Sequence, residues 1–167
     1  MNTAAAVFIC IPAVVYAIFI RNQTIRKINF FKSFYKFTYL FGVYSSVSGR
    51  EITDVVLDIL KNENSSVLKF AENACKKTEN GTNLAQSWNE AVEHECRILN
   101  TGEKALVCRF INAVSAGDIF TQEKTMKIYL EEIEIKLKNL AEYEKKDMKA
   151  KCAAVIFLGC TAALVVI

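Results

Sequence analysis

The sequence predicts an all-α protein, an antiparallel helical bundle with an N-terminal and a C-terminal transmembrane helix. Apolar residues recur at helical spacing along almost the whole chain, and no stretch alternates strictly enough between turn residues to indicate a strand. All 21 Lys and Arg and all 18 Asp and Glu residues lie between Arg21 and Lys151, so both ends are uncharged. The 167 residues therefore divide into an N-terminal membrane helix (residues 1–20), a charged bundle (residues 21–151) and a C-terminal membrane helix (residues 152–167).

The two uncharged ends differ in length. As helices that rise about 1.5 Å per residue, residues 1–20 extend about 30 Å and residues 152–167 about 24 Å, against a hydrocarbon core of about 30 Å. The first end is long enough to span a bilayer. The second is short, and Lys149 and Lys151 extend its reach because their long side chains bend toward the headgroups. A buried core helix is the alternative for this C-terminal end.

The charges beside the apolar ends predict the orientation. Between Arg21 and Arg50 there are six cations and no acid, and no charged side chain comes earlier. Four lysines also stand just ahead of the second apolar end: Lys145, Lys146, Lys149 and Lys151. The positive-inside bias then places the bundle in the cytoplasm and both termini outside. Because the excess cations of the +3 chain flank the ends, contact with anionic lipid is favoured over nucleic acid.

Small residues recur at helical spacing inside both apolar ends. They are Ala6, Cys10, Ala13 and Ala17 in the first end, and Gly159 and Ala163 in the second. Small faces let membrane helices approach closely, so these positions are candidates for packing between the two spans. The alternative is that alanine is simply common in any apolar helix.

The first helix is predicted to continue past the membrane, through an aromatic stretch at residues 30–44, and to end in the Ser- and Gly-containing residues 45–49. Phenylalanines within this stretch are spaced by four, three and four residues: Phe30, Phe34, Phe37 and Phe41. This spacing predicts a core stripe, which is favoured over a base-stacking surface.

Four shorter helices are predicted next, at residues 51–61, 66–78, 84–99 and 102–116, with turn residues between them. Their short connections are typical of an antiparallel bundle. The predicted inward residues are Val55, Val56, Ile59, Leu60, Val67, Phe70, Ala71, Ala74, Leu84, Trp88, Ala91 and Val92. Among them Trp88 is the predicted core anchor and not a ligand platform, since it shares a helical face with Leu84, Ala91 and Val92.

The last helix is predicted to begin at Asp118 or Thr121 and to run uninterrupted to the C-terminus, a rod of about 70 Å. Gly117 is expected to end the preceding helix, and Asp118 to cap the next one, with Gln122 in its first turn. Asp118 and Gln122 either only form this turn, which is the favoured interpretation, or also contact a partner. Five acid–base pairs four residues apart support the helix: Glu123/Lys127, Glu132/Lys136, Glu134/Lys138, Glu142/Lys146 and Asp147/Lys151.

The sequence contains no recognisable motif for catalysis, for a cofactor or for a metal. The single histidine, His94, lies between Glu93 and Glu95 on one predicted helix, where consecutive side chains point in different directions. Phosphate-binding glycine loops, zinc-protease helices and serine elbows are lacking. The six cysteines show no C-x-x-C spacing, so neither a disulfide framework nor a zinc site is expected. We predict a protein that is not an enzyme and that holds no cofactor.

A series of residues in the second half of the chain stands in a characteristic order: Asn80-Gly81, Trp88, Phe110, Val114, Gly117-Asp118, Gln122, Leu130-Glu131, Lys151 and Leu158-Gly159. In order and spacing, and in chain length and the apolar end on each side, the sequence resembles the stage III sporulation protein AB family of endospore-forming bacteria. It differs at Ile111 and Ser115, where the family usually has glycines.

This resemblance implies a non-enzymatic scaffold of the sporulation channel between mother cell and forespore. It also implies similarity to the inner-membrane platform protein of type II secretion, which connects a cytoplasmic hexameric ATPase to the membrane assembly. The implied partners are the membrane, other channel proteins including such an ATPase, and further copies of the chain, with no nucleic acid. The alternative hypothesis is a membrane-tethered helical sensor or signalling module, although the predicted topology leaves only the bare termini outside.

Overall fold

The structure, a computed structural model, describes residues 3–48, 51–63, 66–115 and 119–166. Within these ranges all secondary structure is helical, which confirms the all-α prediction. The helices in chain order are α1 (Thr3–Ser48), α2 (Ile52–Glu63), α3 (Lys69–Glu79), α4 (Leu84–Glu95), α5 (Thr101–Ser115), α6 (Ile119–Tyr143) and α7 (Lys149–Val166). A 3-10 turn at Ser66–Leu68 precedes α3, and a π turn at Glu144–Met148 joins α6 to α7.

The chain divides into two compact units. The terminal unit consists of Met1–Ile28 and Leu137–Ile167, and the central unit consists of Asn29–Lys136. The long helices α1 and α6 contribute residues to both units, whereas α2, α3, α4 and α5 belong to the central unit alone.

Helix α1 runs for 46 residues and includes the aromatic stretch, as the sequence predicts. It ends at Ser48, inside the predicted break. Its predicted core phenylalanines are all at most 2% exposed: Phe30, Phe34, Phe37 and Phe41. Thr38 is also buried, and its hydroxyl donates to the Phe34 carbonyl at 2.8 Å, so no polar group of this side chain is left unsatisfied. The core stripe is therefore confirmed.

Phe110 of α5 lies at the centre of the core of the central unit. Five aromatic rings surround it at centroid distances of 5.4–5.8 Å: Phe34, Phe37, Phe41, Trp88 and Tyr129. Aromatic pairs at this spacing are stabilising beyond the apolar area they bury. The rings come from α1, α4, α5 and α6, so one aromatic cluster joins four helices.

The short helices bury most of the residues predicted to face inward. Val67 is an exception, because it is 37% exposed while Leu68 beside it is 2% exposed. The predicted helix begins here as the 3-10 turn Ser66–Leu68, which has three residues per turn. This tighter winding changes which residue faces the core, and the prediction for Val67 is wrong.

Helix α4 ends at Glu95, before the predicted end at Leu99. The Cys96 N–H donates to the Val92 carbonyl at 3.1 Å, and the Leu99 N–H donates to the Cys96 carbonyl at 3.0 Å in the turn that follows. Cys96 and Leu99 are each only 5% exposed. The turn thus keeps burying apolar residues after the helix has ended, so apolar spacing alone placed the helix end too late.

The segment Asn80-Gly81-Thr82 forms the predicted turn between α3 and α4. Gly81 has a φ of +92°, a conformation that side chains disfavour. The Asn83 side chain then accepts hydrogen bonds from the N–H groups of Ala85 at 2.9 Å and Gln86 at 3.3 Å, which caps α4. Gly81 therefore defines where the chain reverses direction after α3, and the Asn83 cap defines where α4 begins.

The chain is helical from Ile119 to Val166, but the predicted uninterrupted α-helix is wrong at the π turn Glu144–Met148. A π turn holds one residue more than an α turn, so the side chains beyond it are rotated by about 100°. Met148, the last residue of this turn, is only 2% exposed. No proline or glycine marks the interruption in the sequence.

Within the described ranges, no helix is both long enough and apolar enough to qualify as a membrane span. The transmembrane helices at residues 1–20 and 152–167 stay predictions.

Candidate functional site

Trp88 is a core residue of the central unit. It is 0% exposed, and its indole N–H donates to the Val107 carbonyl at 3.1 Å. The ring of Phe70 meets it edge-on at a centroid distance of 5.1 Å. Because its one polar atom is bonded internally, the side chain joins α3, α4 and α5 and offers no surface to a partner.

Gly117 and Asp118 lie outside the described residues, so the predicted cap stays a prediction. Helix α6 begins at Ile119, between the two predicted starts at Asp118 and Thr121. Gln122 lies in the first turn of α6, and its side chain is outside the described part. A small apolar pocket lies between α5 and α6 and is lined by Phe110, Ala113, Val114, Thr125, Met126 and Tyr129.

Polar contacts also join α6 to α5. The Tyr129 hydroxyl donates to the Leu106 carbonyl, and Glu132 pairs with Arg109. Burial raises the pKa of the Tyr129 hydroxyl, so this donor stays protonated in alkaline solution above the pH at which an exposed tyrosine ionises. Glu132 was predicted to pair along its own helix, and its ion pair with α5 adds a link between helices.

Glu103 is the buried carboxylate of this interface and is only 3% exposed. One carboxylate oxygen accepts from the Asn100 N–H at 2.9 Å, while the Asn100 side chain accepts from the Glu103 N–H at 2.9 Å, a reciprocal capping box at the start of α5. The other oxygen pairs with Lys136 of α6 at 3.0 Å. Glu103 is absent from the sequence-based candidates, although the Asn-x-x-Glu spacing ahead of an apolar run is a recognisable signal.

In the terminal unit, α1 contacts α7 at Ala17. Ala17 is 3% exposed, and the Cys152 thiol donates to its carbonyl at 3.5 Å. Gly159, also among the predicted small residues, is half-buried. The side chains of the others lie outside the described part: Ala6, Cys10, Ala13 and Ala163. The described contact thus involves one predicted position and Cys152, which was not predicted.

Elsewhere on these two helices, large apolar side chains are 39–69% exposed. They are Ile11, Val14, Val15, Tyr16, Ile18 and Phe19 on α1, and Ile156, Phe157 and Leu158 on α7. Exposed apolar side chains in this number are typical of contact with a membrane or a protein partner, and they are called the exposed apolar surface below.

Charged residues border this apolar surface on both helices. Arg21 pairs with Glu144 at 3.5 Å, and thus joins α1 to the π turn. The Lys151 ammonium donates to the Tyr143 hydroxyl at 2.9 Å and lies 5.0 Å from the centre of that ring. The transition from apolar to charged surface therefore occurs just after residue 20 on one helix and at residue 151 on the other.

The described residues offer little chemistry for catalysis. Among them, no group of three or more His, Cys, Asp or Glu side chains is placed to hold a metal ion. His94 is exposed at the end of α4. Burial raises the pKa of both the Cys75 and the Cys96 thiol to about 12, so at neutral pH neither supplies the thiolate that a nucleophile needs.

Comparison with known protein families identifies the family of the chain. The model of the family described as Stage III sporulation protein AB matches residues 2–167. No curated protein and no solved structure matches the chain.

Proposed function

The chain belongs to the stage III sporulation protein AB family, and we propose that it is a non-enzymatic membrane scaffold of the sporulation channel between mother cell and forespore. In this proposal the terminal unit anchors the protein in the membrane. The bundle lies in the mother-cell cytoplasm and both termini lie outside. The central unit contacts the other channel proteins.

The observation that carries the anchoring is the exposed apolar surface of the terminal unit, together with the absence of charge at both ends of the sequence. Phe157 and Leu158 on α7 are 69% and 66% exposed, and Phe19 on α1 is 57% exposed. Exposing such side chains to water costs free energy that contact with lipid avoids. The charged groups begin where these side chains end, at Arg21 and Lys151, which supports a position of this boundary at the membrane surface.

A scaffold role for the central unit is supported by its interior. The aromatic cluster around Phe110 and the buried pair Glu103–Lys136 hold the helices of the central unit in fixed positions relative to one another. A rigid unit of this kind suits a scaffold that transmits a force or a displacement between its partners. The resemblance seen in the sequence implies a likeness to the platform protein of type II secretion. On that basis we extend the proposal to a link between a hexameric secretion-type ATPase and the membrane assembly, with the chain present as a homo-oligomer.

Reporter fusions test the anchoring and the orientation. Fusions placed before residue 1, within residues 80–82 and after residue 167 are expected to report the middle position alone as cytoplasmic, because the cations lie between the two apolar ends. A cytoplasmic signal from either terminus would contradict the two-span topology.

Crosslinking and co-purification from sporulating cells test the scaffold role. We expect a tagged full-length chain to recover channel components, including the ATPase, in complexes that contain more than one copy of the chain. Recovery of a two-component kinase or another signalling protein in place of channel components would favour the sensor hypothesis and contradict the scaffold.

A further inference from the structure

We infer that the terminal unit carries a basic collar that selects a bilayer surface rich in anionic phospholipid. The collar is defined as Arg21, Arg26, Lys145, Lys146 and Lys149. This inference rests on the proposed anchoring and adds to it the chemical class of the lipid that the protein contacts.

Charge is distributed unequally between the two units. The terminal unit contains eight Lys and Arg and three Asp and Glu, a net charge of +5. The central unit contains thirteen cations and fifteen acids, a net charge of −2. Pairing within the terminal unit leaves this net charge of +5 unchanged. The positive charge of the protein is therefore concentrated in the unit with the exposed apolar surface.

The contacts between the helices show that the charged segments of α1 and of the π turn lie at the same end of the terminal unit. Ala17 meets Cys152, and Arg21 meets Glu144, so an increase in residue number on one helix corresponds to a decrease on the other. The two helices are therefore antiparallel. Residues 21–26 and residues 144–149 then border the apolar surface together, and all five side chains of the collar are exposed.

The π turn supports this arrangement. It buries Met148 at 2% exposure and directs the half-buried Glu144 to Arg21, while Lys145, Lys146 and Lys149 remain exposed. Lysines with long apolar stems next to apolar surface suit the boundary between hydrocarbon and headgroups, where the ammonium reaches phosphate. A nucleic acid would match the charge but not the adjoining exposed Ile18, Phe19, Phe157 and Leu158.

Partitioning between two vesicle populations tests the inference. The full-length chain in mild detergent is diluted into a mixture of phosphatidylcholine vesicles and denser vesicles that also contain phosphatidylglycerol, and the populations are separated by density. We expect a preference for the anionic vesicles, which falls when salt rises from about 0.1 M to about 1 M as the charges are screened. Each lysine near an anionic surface is worth roughly a fivefold preference, so K145Q/K146Q/K149Q, which removes three of them, is expected to reduce the ratio by roughly a hundredfold.

A matched variant controls for net charge. K61Q/K124Q/K127Q removes the same charge from exposed lysines of the central unit and is expected to keep the wild-type ratio. Circular dichroism of both variants reports whether they fold. A folded control that loses the preference as far as the collar variant does would overturn the role of the collar.

The remaining outcomes separate this inference from the proposed anchoring. Equal insertion of the wild-type chain into both vesicle populations would overturn the lipid preference while leaving the anchoring intact. Failure to associate with either population would contradict the anchoring itself. Binding of a short DNA duplex by the wild-type chain, lost in the collar variant and competing with the anionic vesicles, would assign the collar to nucleic acid and overturn the inference.

Discussion

At the residue scale, Trp88 shows how one side chain stabilises several helices. It packs against Phe70 and Phe110, and its indole N–H bonds to the Val107 carbonyl. We expect Trp88→Ala to lower the free energy of unfolding by about 3–5 kcal/mol, as large core truncations do. Trp88→Phe keeps one ring but loses the indole donor and part of the buried volume, so a smaller loss that combines both effects is expected. Denaturant titration of both variants gives the two values, and a loss under about 1 kcal/mol for Trp88→Ala would contradict the core role.

The connection between α5 and α6 permits a test that separates structure from binding. If Asp118 only caps α6, Asp118→Ala is expected to cost about 0.5–2 kcal/mol, while Asp118→Asn, itself a good cap, is expected to be nearly neutral in stability and in assembly. The measurements are thermal unfolding and co-purification of channel components, with Gln122→Ala as a third variant. A stable Asp118→Asn protein that no longer assembles would instead show that this side chain contacts a partner.

At the element scale, α5 depends on Glu103 at its start. Glu103→Gln retains an oxygen that accepts from the Asn100 N–H but loses the ion pair with Lys136, whereas Glu103→Ala loses both. We expect Glu103→Ala to cost about 2–4 kcal/mol and Glu103→Gln about 1–2 kcal/mol less than that, measured by chemical denaturation. If the two variants were equally stable, the capping interaction would contribute nothing, and the capping box would be only a geometric coincidence.

The elements differ in how far the sequence predicts them. The phenylalanines of α1 were placed correctly because their spacing has a single interpretation on a helix. The end of α4 is predicted too late, because Cys96 and Leu99 continue the apolar spacing into the turn that follows the helix. The π turn Glu144–Met148 departs from the predicted α-helix because no proline or glycine in this segment marks the interruption.

The candidate site was predicted less completely than the fold. The predicted Trp88 lies in the core, and Gly117 and Asp118 are outside the described residues. The small-residue pattern included Ala17 but not Cys152, its contact on α7. Glu103 was missed because its importance comes from Lys136, a residue far away in sequence. Contacts between distant residues of this kind are not encoded in the spacing of either helix alone.

At the scale of the whole molecule, the aromatic cluster predicts which helix of the central unit unfolds locally least often. Leu106, Val107, Phe110 and Ile111 of α5 are at most 5% exposed, and α5 is bonded to both α4 and α6. We therefore expect the amides of α5 to exchange with solvent more slowly than those of α2 in hydrogen-exchange mass spectrometry. Faster exchange in α5 than in α2 would show that the cluster is not the most stable part of the central unit.

The π turn also has a consequence for the gene. A deletion of one codon within residues 144–148 would let the turn close as an ordinary α turn, so the reading frame and the helix would both survive. Because the π turn holds one residue more than an α turn, the residues after such a deletion would keep their orientation, and Cys152 would still face Ala17. Loss of one codon within this segment is therefore an expected form of variation among descendants of the gene, whereas gain of one codon, which would rotate every later residue by about 100°, is expected to be rare.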